Sequence, residues 1–151
     1  MRLSSEDLRE SKIFMYYRVV KRWASAFYNL TTVEVEFLMS LHCKKRFTTS
    51  GFKDSQANMN WDKRRFFRLQ KEGWIERYRC YYEEGTRRTI YKPSRKCNDM
   101  VNRIYRILLG EEDIPINQRN PFYKAESYTD RAMLTSIAAM KNDYKNERAV
   151  Y

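Results

Sequence analysis

The chain is poor in the residues that most often carry chemistry. It has one histidine, three cysteines, four glycines and three prolines among 151 residues. With His42 the sole imidazole and Cys43, Cys80 and Cys97 far apart, no zinc site of ordinary ligand spacing can be assembled. Three scattered thiols also make no disulfide framework, and they suit a reducing compartment. No GxSxG, P-loop or dinucleotide fingerprint occurs. The acidic pairs Glu83–Glu84 and Glu111–Glu112 fall in expected loops or at a helix end and read as solubilising charge. These absences argue against an enzyme and against a resident cofactor, and His42 is expected to be a satisfied, partly buried residue. No run of about 18 apolar residues exists, so no membrane-spanning helix is expected. MRLSSEDLRE lacks the apolar stretch of a secretory leader, and a cytoplasmic location is the expectation. Few breakers and no repeats predict one domain over residues 1–151 with a real core.

What the chain does have is positive charge, and it is concentrated. Residues 1–43 carry six Lys and Arg against five Asp and Glu, and residues 98–151 carry eight against eight. Residues 44–97 carry sixteen against six. Nearly all of the net charge of +11 therefore sits in the middle third. A basic block between two neutral ones predicts a basic surface carried on a neutral scaffold.

The elements follow from periodicity and caps. Ser5 with acids in the next turn opens a helix expected to run to about Tyr28, with Leu8, Ile13, Phe14, Tyr17, Val20, Trp23, Ala24 and Phe27 apolar at helical spacing. Thr31 and Glu34 have capping-box spacing, and Leu30 with Val35 fits a hydrophobic staple, so a second helix runs from there to about Cys43. Thr49 or Ser50 would cap a short helix ending near Asn58, and Asn60 would cap WDKRRFFRLQKEG, closed by Gly73. WIERYRCYY and RRTIYKPS, separated by EEGT, predict a β-hairpin. Ser94 caps the next helix, which ends at Gly110; EEDIPINQRNPF reads as a linker; and a last helix spans about 127–146 with Met133, Ile137, Met140 and Tyr144 on one face. The expected fold class is mainly α with a small β-hairpin. Three short helices followed by a hairpin is the plan of a winged helix-turn-helix, with a core at about 30–94 and flanking helices at about 5–28, 94–110 and 127–146.

From about Lys12 to Ile114 the chain resembles the MarR family of bacterial winged-helix regulators. Leu30-Thr31-Thr32-Val33-Glu34 fits that family's LTxxE start of its second helix. Leu69 to Arg77, LQKEGWIER, fits its LexxGlIxR exit into the wing, and Arg87 to Ser94, RRTIYKPS, resembles the RxxxVxLT returning strand. Gly85 stands where the family's wing carries Asp, and SGFKDSQANMN lacks the xxLAxxL signature, so a divergent member is expected, with which a phage or mobile-element origin would fit. The resemblance implies that the flanking helices form a homodimer interface and that a ligand pocket lies between them and the DNA-binding lobe. The tyrosines of those helices (Tyr16, Tyr17, Tyr28, Tyr105 and Tyr144) are expected in core and dimer packing rather than in such a pocket, and a small-molecule effector stays open.

The residues themselves give the expected roles. In the helix at about 60–72, Phe66 and Leu69 point one way, while Asn60, Lys63, Arg64, Arg68 and Lys71 gather on the other side. An apolar face to hold the helix and a donor-rich face to enter the major groove are what a recognition helix needs. Arg64 or Arg68 would pair with guanine and Asn60 with adenine, while Lys63, Arg65 and the remaining arginine meet phosphates. Asp62 would serve in the first helical turn or accept from a cytosine, and Phe67 falls near the exposed face without an evident role. Arg87 and Arg88, just past the hairpin loop, would reach the minor groove. Thr48, Thr49 and Ser50, beside Lys44, Lys45 and Arg46, would bind phosphate at a helix start. The expected function is a homodimeric, sequence-specific regulator on double-stranded DNA, with no membrane partner. A winged-helix protein-interaction or structural module, on a polymerase or virion component, and a non-specific nucleic-acid binder are the alternatives.

Overall fold

The computed structural model describes residues 2–50, 62–124 and 126–150. The chain is mainly α-helical with a single two-stranded antiparallel sheet among the described residues. It divides into two compact units: Thr31–Asn102, and Met1–Leu30 together with Arg103–Tyr151.

In the first N-terminal stretch the sequence predicts one helix from Ser5, and the structure has two: α1 (Ser5–Glu10) and α2 (Ile13–Phe27). The cap is Ser4, not Ser5. The Ser4 backbone N–H donates to Asp7 Oδ2 at 2.7 Å and its Oγ accepts from the Asp7 N–H at 3.2 Å, a reciprocal box that fixes the helix start one residue early. Ser11 then turns extended and donates its hydroxyl back to the Leu8 carbonyl at 3.1 Å, which competes with helix continuation. The break rotates the apolar stripe. Phe14 and Leu8 are exposed, and Tyr16, Val20, Trp23 and Ala24 form the buried face.

The same unit contains the later turns of α5 (Arg95–Leu108) and all of α6 (Tyr128–Val150), and α2 packs against α6. Met133, Ile137, Met140 and Tyr144 are buried as their spacing predicts. The Tyr144 hydroxyl donates to the Leu108 carbonyl at 2.6 Å, and its ring lies so close to Gly110 that a Cβ there would stand 2.8 Å from Cδ1. Gly110 has φ +76°, so only glycine meets both demands. The stretch read as a linker is knitted instead. Asn120 is buried; its amide donates to the Pro115 carbonyl at 2.7 Å and its Oδ1 accepts from the Phe122 N–H at 2.9 Å, with Ile114 and Phe122 buried on either side.

The other unit contains α3 (Thr32–Lys44), α4 (Lys63–Lys71), β1 (Ile75–Glu83), β2 (Thr86–Pro93) and the start of α5. This is the winged-helix order. Of the short helix expected between Thr49 and Asn58, Thr49 and Ser50 are in a 3-10 turn, and the rest lies outside the described residues. The hairpin pairs Ile75 with Pro93 through to Glu83 with Thr86, closed by Glu84 and Gly85, both at positive φ. That is the turn whose twist matches a two-residue hairpin. A bulge at Tyr78 interrupts the register. Phe47 adds an isolated antiparallel bridge to Tyr91, a short second partner for β2 that the sequence does not announce. Ser94 caps α5, its Oγ accepting from the Cys97 N–H at 3.2 Å and donating to the Trp74 carbonyl at 3.1 Å.

Candidate nucleic-acid interface

Helix α4 starts at Asp62, whose Oδ1 accepts from the backbone N–H of Arg64 at 2.8 Å and of Arg65 at 3.5 Å. The carboxylate that is awkward on a basic helix is thus turned into the helix start, where the dipole favours it. It replaces Asn60 as cap; Asn60 itself lies outside the described residues. The helix closes at Gly73, with φ +86°, and the Trp74 N–H returns to the Leu69 carbonyl at 2.9 Å. This tight exit launches β1 directly from the helix end.

Phe66 and Leu69 are fully buried. Phe66 meets Tyr91 edge-on at 4.9 Å between ring centroids and Phe47 at 6.1 Å. Those two rings are themselves joined by paired backbone hydrogen bonds of 2.8 and 3.0 Å. This aromatic knot fastens α4 to the base of the wing. Along the opposite side of the helix, Lys63, Arg64, Phe67, Arg68 and Lys71 are exposed, while Arg65 is half-buried on the flank.

The cations of α4 are not equivalent. Arg68 reaches back to Glu34 at the start of α3, and the two form a salt bridge. Glu34 is 2 % exposed. Its Oε1 also accepts from the Thr31 hydroxyl at 3.0 Å, and the Thr31 Oγ1 caps the Glu34 N–H at 3.2 Å. A buried carboxylate requires a cation and donors, and Arg68 supplies the cation. The sequence places Arg68 among the groove-facing cations; the structure ties one of its nitrogens to the scaffold. Lys63, Arg64 and Lys71 carry the outward charge.

The wing separates its two arginines. Arg87 stands opposite Tyr82 and Arg88 opposite Tyr81, so successive side chains leave on opposite faces of the hairpin. On the Arg87 face lies Cys80, whose Sγ accepts from the guanidinium at 3.4 Å and lies 3.7 Å from Thr89 Oγ1. The hydrogen bond from Arg87, aided by Thr89 and by the charge of Arg77, holds this thiol below its ordinary pKa. Cys97, buried against α3, is pushed up to about 12 by desolvation. Thr48 is half-buried and Thr49 and Ser50 are exposed, with the Thr48 and Ser50 hydroxyls 3.2 Å apart. Thr49 and Ser50 stand in a 3-10 turn, and the remainder of the helix they were expected to start lies outside the described residues.

Part of the basic block goes elsewhere. Lys44, Lys45, Arg46, Lys92 and Arg95 line an open cleft of about 790 Å³ at the base of the wing. Lys45 has φ +63°, and the Arg46 N–H closes back on the Lys44 carbonyl at 2.7 Å, a tight and strained turn. Arg46 stacks over the bulged Tyr78 at 3.7 Å, and Lys92 pairs with Glu76 at 3.3 Å. Tyr82, opposite Arg87, lies six residue steps along the strand from Glu76, roughly 20 Å of hairpin, so this cleft is distinct from the wing tip. No local pattern announces this cleft, because its cations come from two stretches, 44–46 and 92–95, far apart in the chain.

No protein-family model matches the chain, and no curated protein does. Two solved structures are similar to it. One is a mutant MarR from E. coli complexed with operator DNA, at 16 % identity over 84 % of this chain and 88 % of that one, with a TM-score of 0.44. The other is wild-type E. coli MarR in its apo form, at 16 % identity over 92 % and 96 %, with a TM-score of 0.40.

Proposed function

We propose that the chain is a sequence-specific regulator that binds double-stranded DNA as a homodimer, with the helix at about 60–72 in the major groove and the wing at 75–93 on the minor groove. The observation that carries this reading is the two-sidedness of α4. Its inner face is locked by Phe66 and Leu69, and its outer face holds Lys63, Arg64 and Lys71 in solvent, immediately before a hairpin with exposed Arg87 and Arg88 at its tip. A purely structural basic helix would have no need to leave Lys63, Arg64 and Lys71 without an ion pair among the described residues while Arg68 is tied to Glu34. In the proposed complex Arg64 contacts a base edge, Lys63 and Lys71 meet phosphates, and Arg68 positions α4 against α3 through Glu34. With Arg87 and Arg88 on opposite faces, the wing straddles the minor-groove edge rather than inserting both.

The dimer is supported by apolar side chains left in solvent on the terminal unit. Phe14 is 71 % and Met15 68 % exposed on adjacent positions of α2, with Leu3 exposed before α1. Adjacent large apolar groups in water mark an association surface. A two-fold dimer would set two recognition helices about one DNA turn apart and predicts a pseudo-palindromic site.

Selection of binding sites from random duplexes at near-physiological salt tests the reading. Enrichment of a two-fold motif, lost in Arg64→Ala and weakened in Lys71→Ala, is expected, with twice the chain mass by sedimentation. Recovery of no motif, with Arg64→Ala indistinguishable from the parent, would overturn it.

A further inference from the structure

We propose that Phe67 is a specificity-determining residue that reads a thymine through its 5-methyl group; this rests on α4 being the recognition helix. Phe67 is 44 % exposed, although it immediately follows the fully buried Phe66. At about 100° per residue it lies roughly 60° from Arg64 and 40° from Lys71, in the middle of the outward stripe. An aromatic ring between solvated cations weakens a helix that only needs charge, because it exposes apolar area with nothing to bury it. It has a use where the partner surface is itself mixed. In the major groove every base edge presents polar atoms, and thymine alone adds to its O4 acceptor an apolar knob, the C5-methyl group.

The ring is held for that task. It meets Phe66 edge-on, 5.7 Å between centroids at 85°. Phe66 is wedged between Tyr91 and Phe47, so the orientation of Phe67 is tied to the base of the wing. Helical side chains lean toward the N-terminus, which aims Phe67 at the turn containing Arg64. Arg64 paired with a guanine and Phe67 packed on a nearby thymine methyl would read neighbouring base pairs from one turn of helix. Phosphate-facing Lys63 and Lys71 set the register around them. Phe67 thereby gives the stripe an apolar readout that its charges cannot supply.

Removal of single methyl groups tests the proposal. In the duplex selected by the full chain, each thymine is replaced in turn by deoxyuridine, which keeps every hydrogen bond and deletes only the methyl group. Wild-type protein is expected to lose about fourfold in affinity at one position per half-site, the burial of one methyl-sized group. Phe67→Ala should bind the thymine and deoxyuridine duplexes equally, and Phe67→Leu should keep part of the preference. Thermal unfolding of both variants close to the parent checks that the helix is intact. If the parent selects a site but no deoxyuridine replacement weakens it, or if Phe67→Ala retains the same loss, the thymine contact is overturned while the regulator reading stands. If no site is selected at all, both fall.

Discussion

The two compact units use charge in opposite ways. In the terminal unit, cations are spent on neighbours. Lys12 pairs with Glu147 at 2.9 Å, and Arg103 and Arg106 share Glu112 at 2.8 and 3.2 Å. The surplus of this unit is the smaller of the two, fourteen Lys and Arg against ten Asp and Glu where the winged unit has sixteen against nine, and close fit does the rest: Tyr144 over Gly110, Trp23 stacked on Phe27 at 5.1 Å, Asn120 bridging its own turn. In the winged unit the cations outnumber any acid that could meet them, and the structure sorts them. Arg68 is committed to Glu34, Lys96 lies over Trp74 at 4.0 Å, and Lys63, Arg64 and Lys71 stand in water. The lesson is that net charge per segment locates a basic surface, whereas the pairing of individual side chains tells which cations belong to the fold and which are left for a partner.

The sharpest way to break this contrast is at Gly110, where the terminal unit depends on fit alone. Gly110→Ala adds a methyl group at positive φ into the face of Tyr144. Backbone strain and overpacking together should cost about 2–4 kcal/mol in chemical unfolding. Tyr144→Ala in the same background would remove the clash but not the strain, so it should leave the alanine less harmful than it is alone. A Gly110→Ala protein as stable as the parent would mean that the ring can swing away and that fit is not what holds this unit.

Arg68→Ala comes next. It strands the Glu34 carboxylate with the Thr31 hydroxyl as its remaining side-chain donor. Breaking a buried pair costs up to several kcal/mol, and because Arg68 is half in solvent a loss of about 2 kcal/mol is expected. Adding Glu34→Gln should recover most of it, since the buried charge is then gone. A base-reading role for Arg68 would give the reverse pattern, with stability unmoved and binding lost. Arg68 is therefore a poor choice for testing DNA recognition, and Arg64 a good one. Arg64→Ala should leave the unfolding midpoint unchanged and weaken a selected duplex by about 1–3 kcal/mol, while Lys71→Ala should weaken all duplexes alike and lower the salt slope by about one.

Much of this architecture is legible in sequence, for reasons of range. Thr31 caps α3, Gly73 and Gly110 end helices, and the hairpin turns at Gly85, because each is decided within about four residues. The same locality explains two misreadings. Ser4 with Asp7 outbids Ser5, and Ser11 breaks the helix, because short polar side chains compete for backbone groups where an apolar spacing alone predicts continuity. What could not be read spans the chain. Glu34 and Arg68, Phe47 and Tyr91, and Gly110 and Tyr144 are partners over 34 to 44 residues, and no local pattern announces them. At the candidate site this means that the basic stripe on α4 was visible, but not its division into fixed and free cations, nor the second group of cations gathered at the base of the wing.

The smallest predicted effect uses two of the three thiols of the winged unit, Cys80 and Cys97, as reporters of that division, in a chain whose exposed Cys43 is replaced by Ser. Cys80 lies on the exposed wing beside Arg87, which stabilises its thiolate; Cys97 is buried where nothing stabilises a charge. A lowered pKa puts thiolate in place at a lower pH, so the rate of alkylation by iodoacetamide at Cys80 should rise at a pH below that of a free cysteine peptide. Arg87→Ala should move this profile up toward the peptide. Cys97 should stay unmodified until the protein unfolds, at any pH below about 12. If duplex DNA draws Arg87 onto a phosphate, the guanidinium leaves the sulfur, and the Cys80 profile should shift upward on binding in the same direction as in the Arg87→Ala variant. An unchanged profile in a saturated complex would mean that Arg87 stays on Cys80, and the wing contact would then fall to Arg88 on the opposite face.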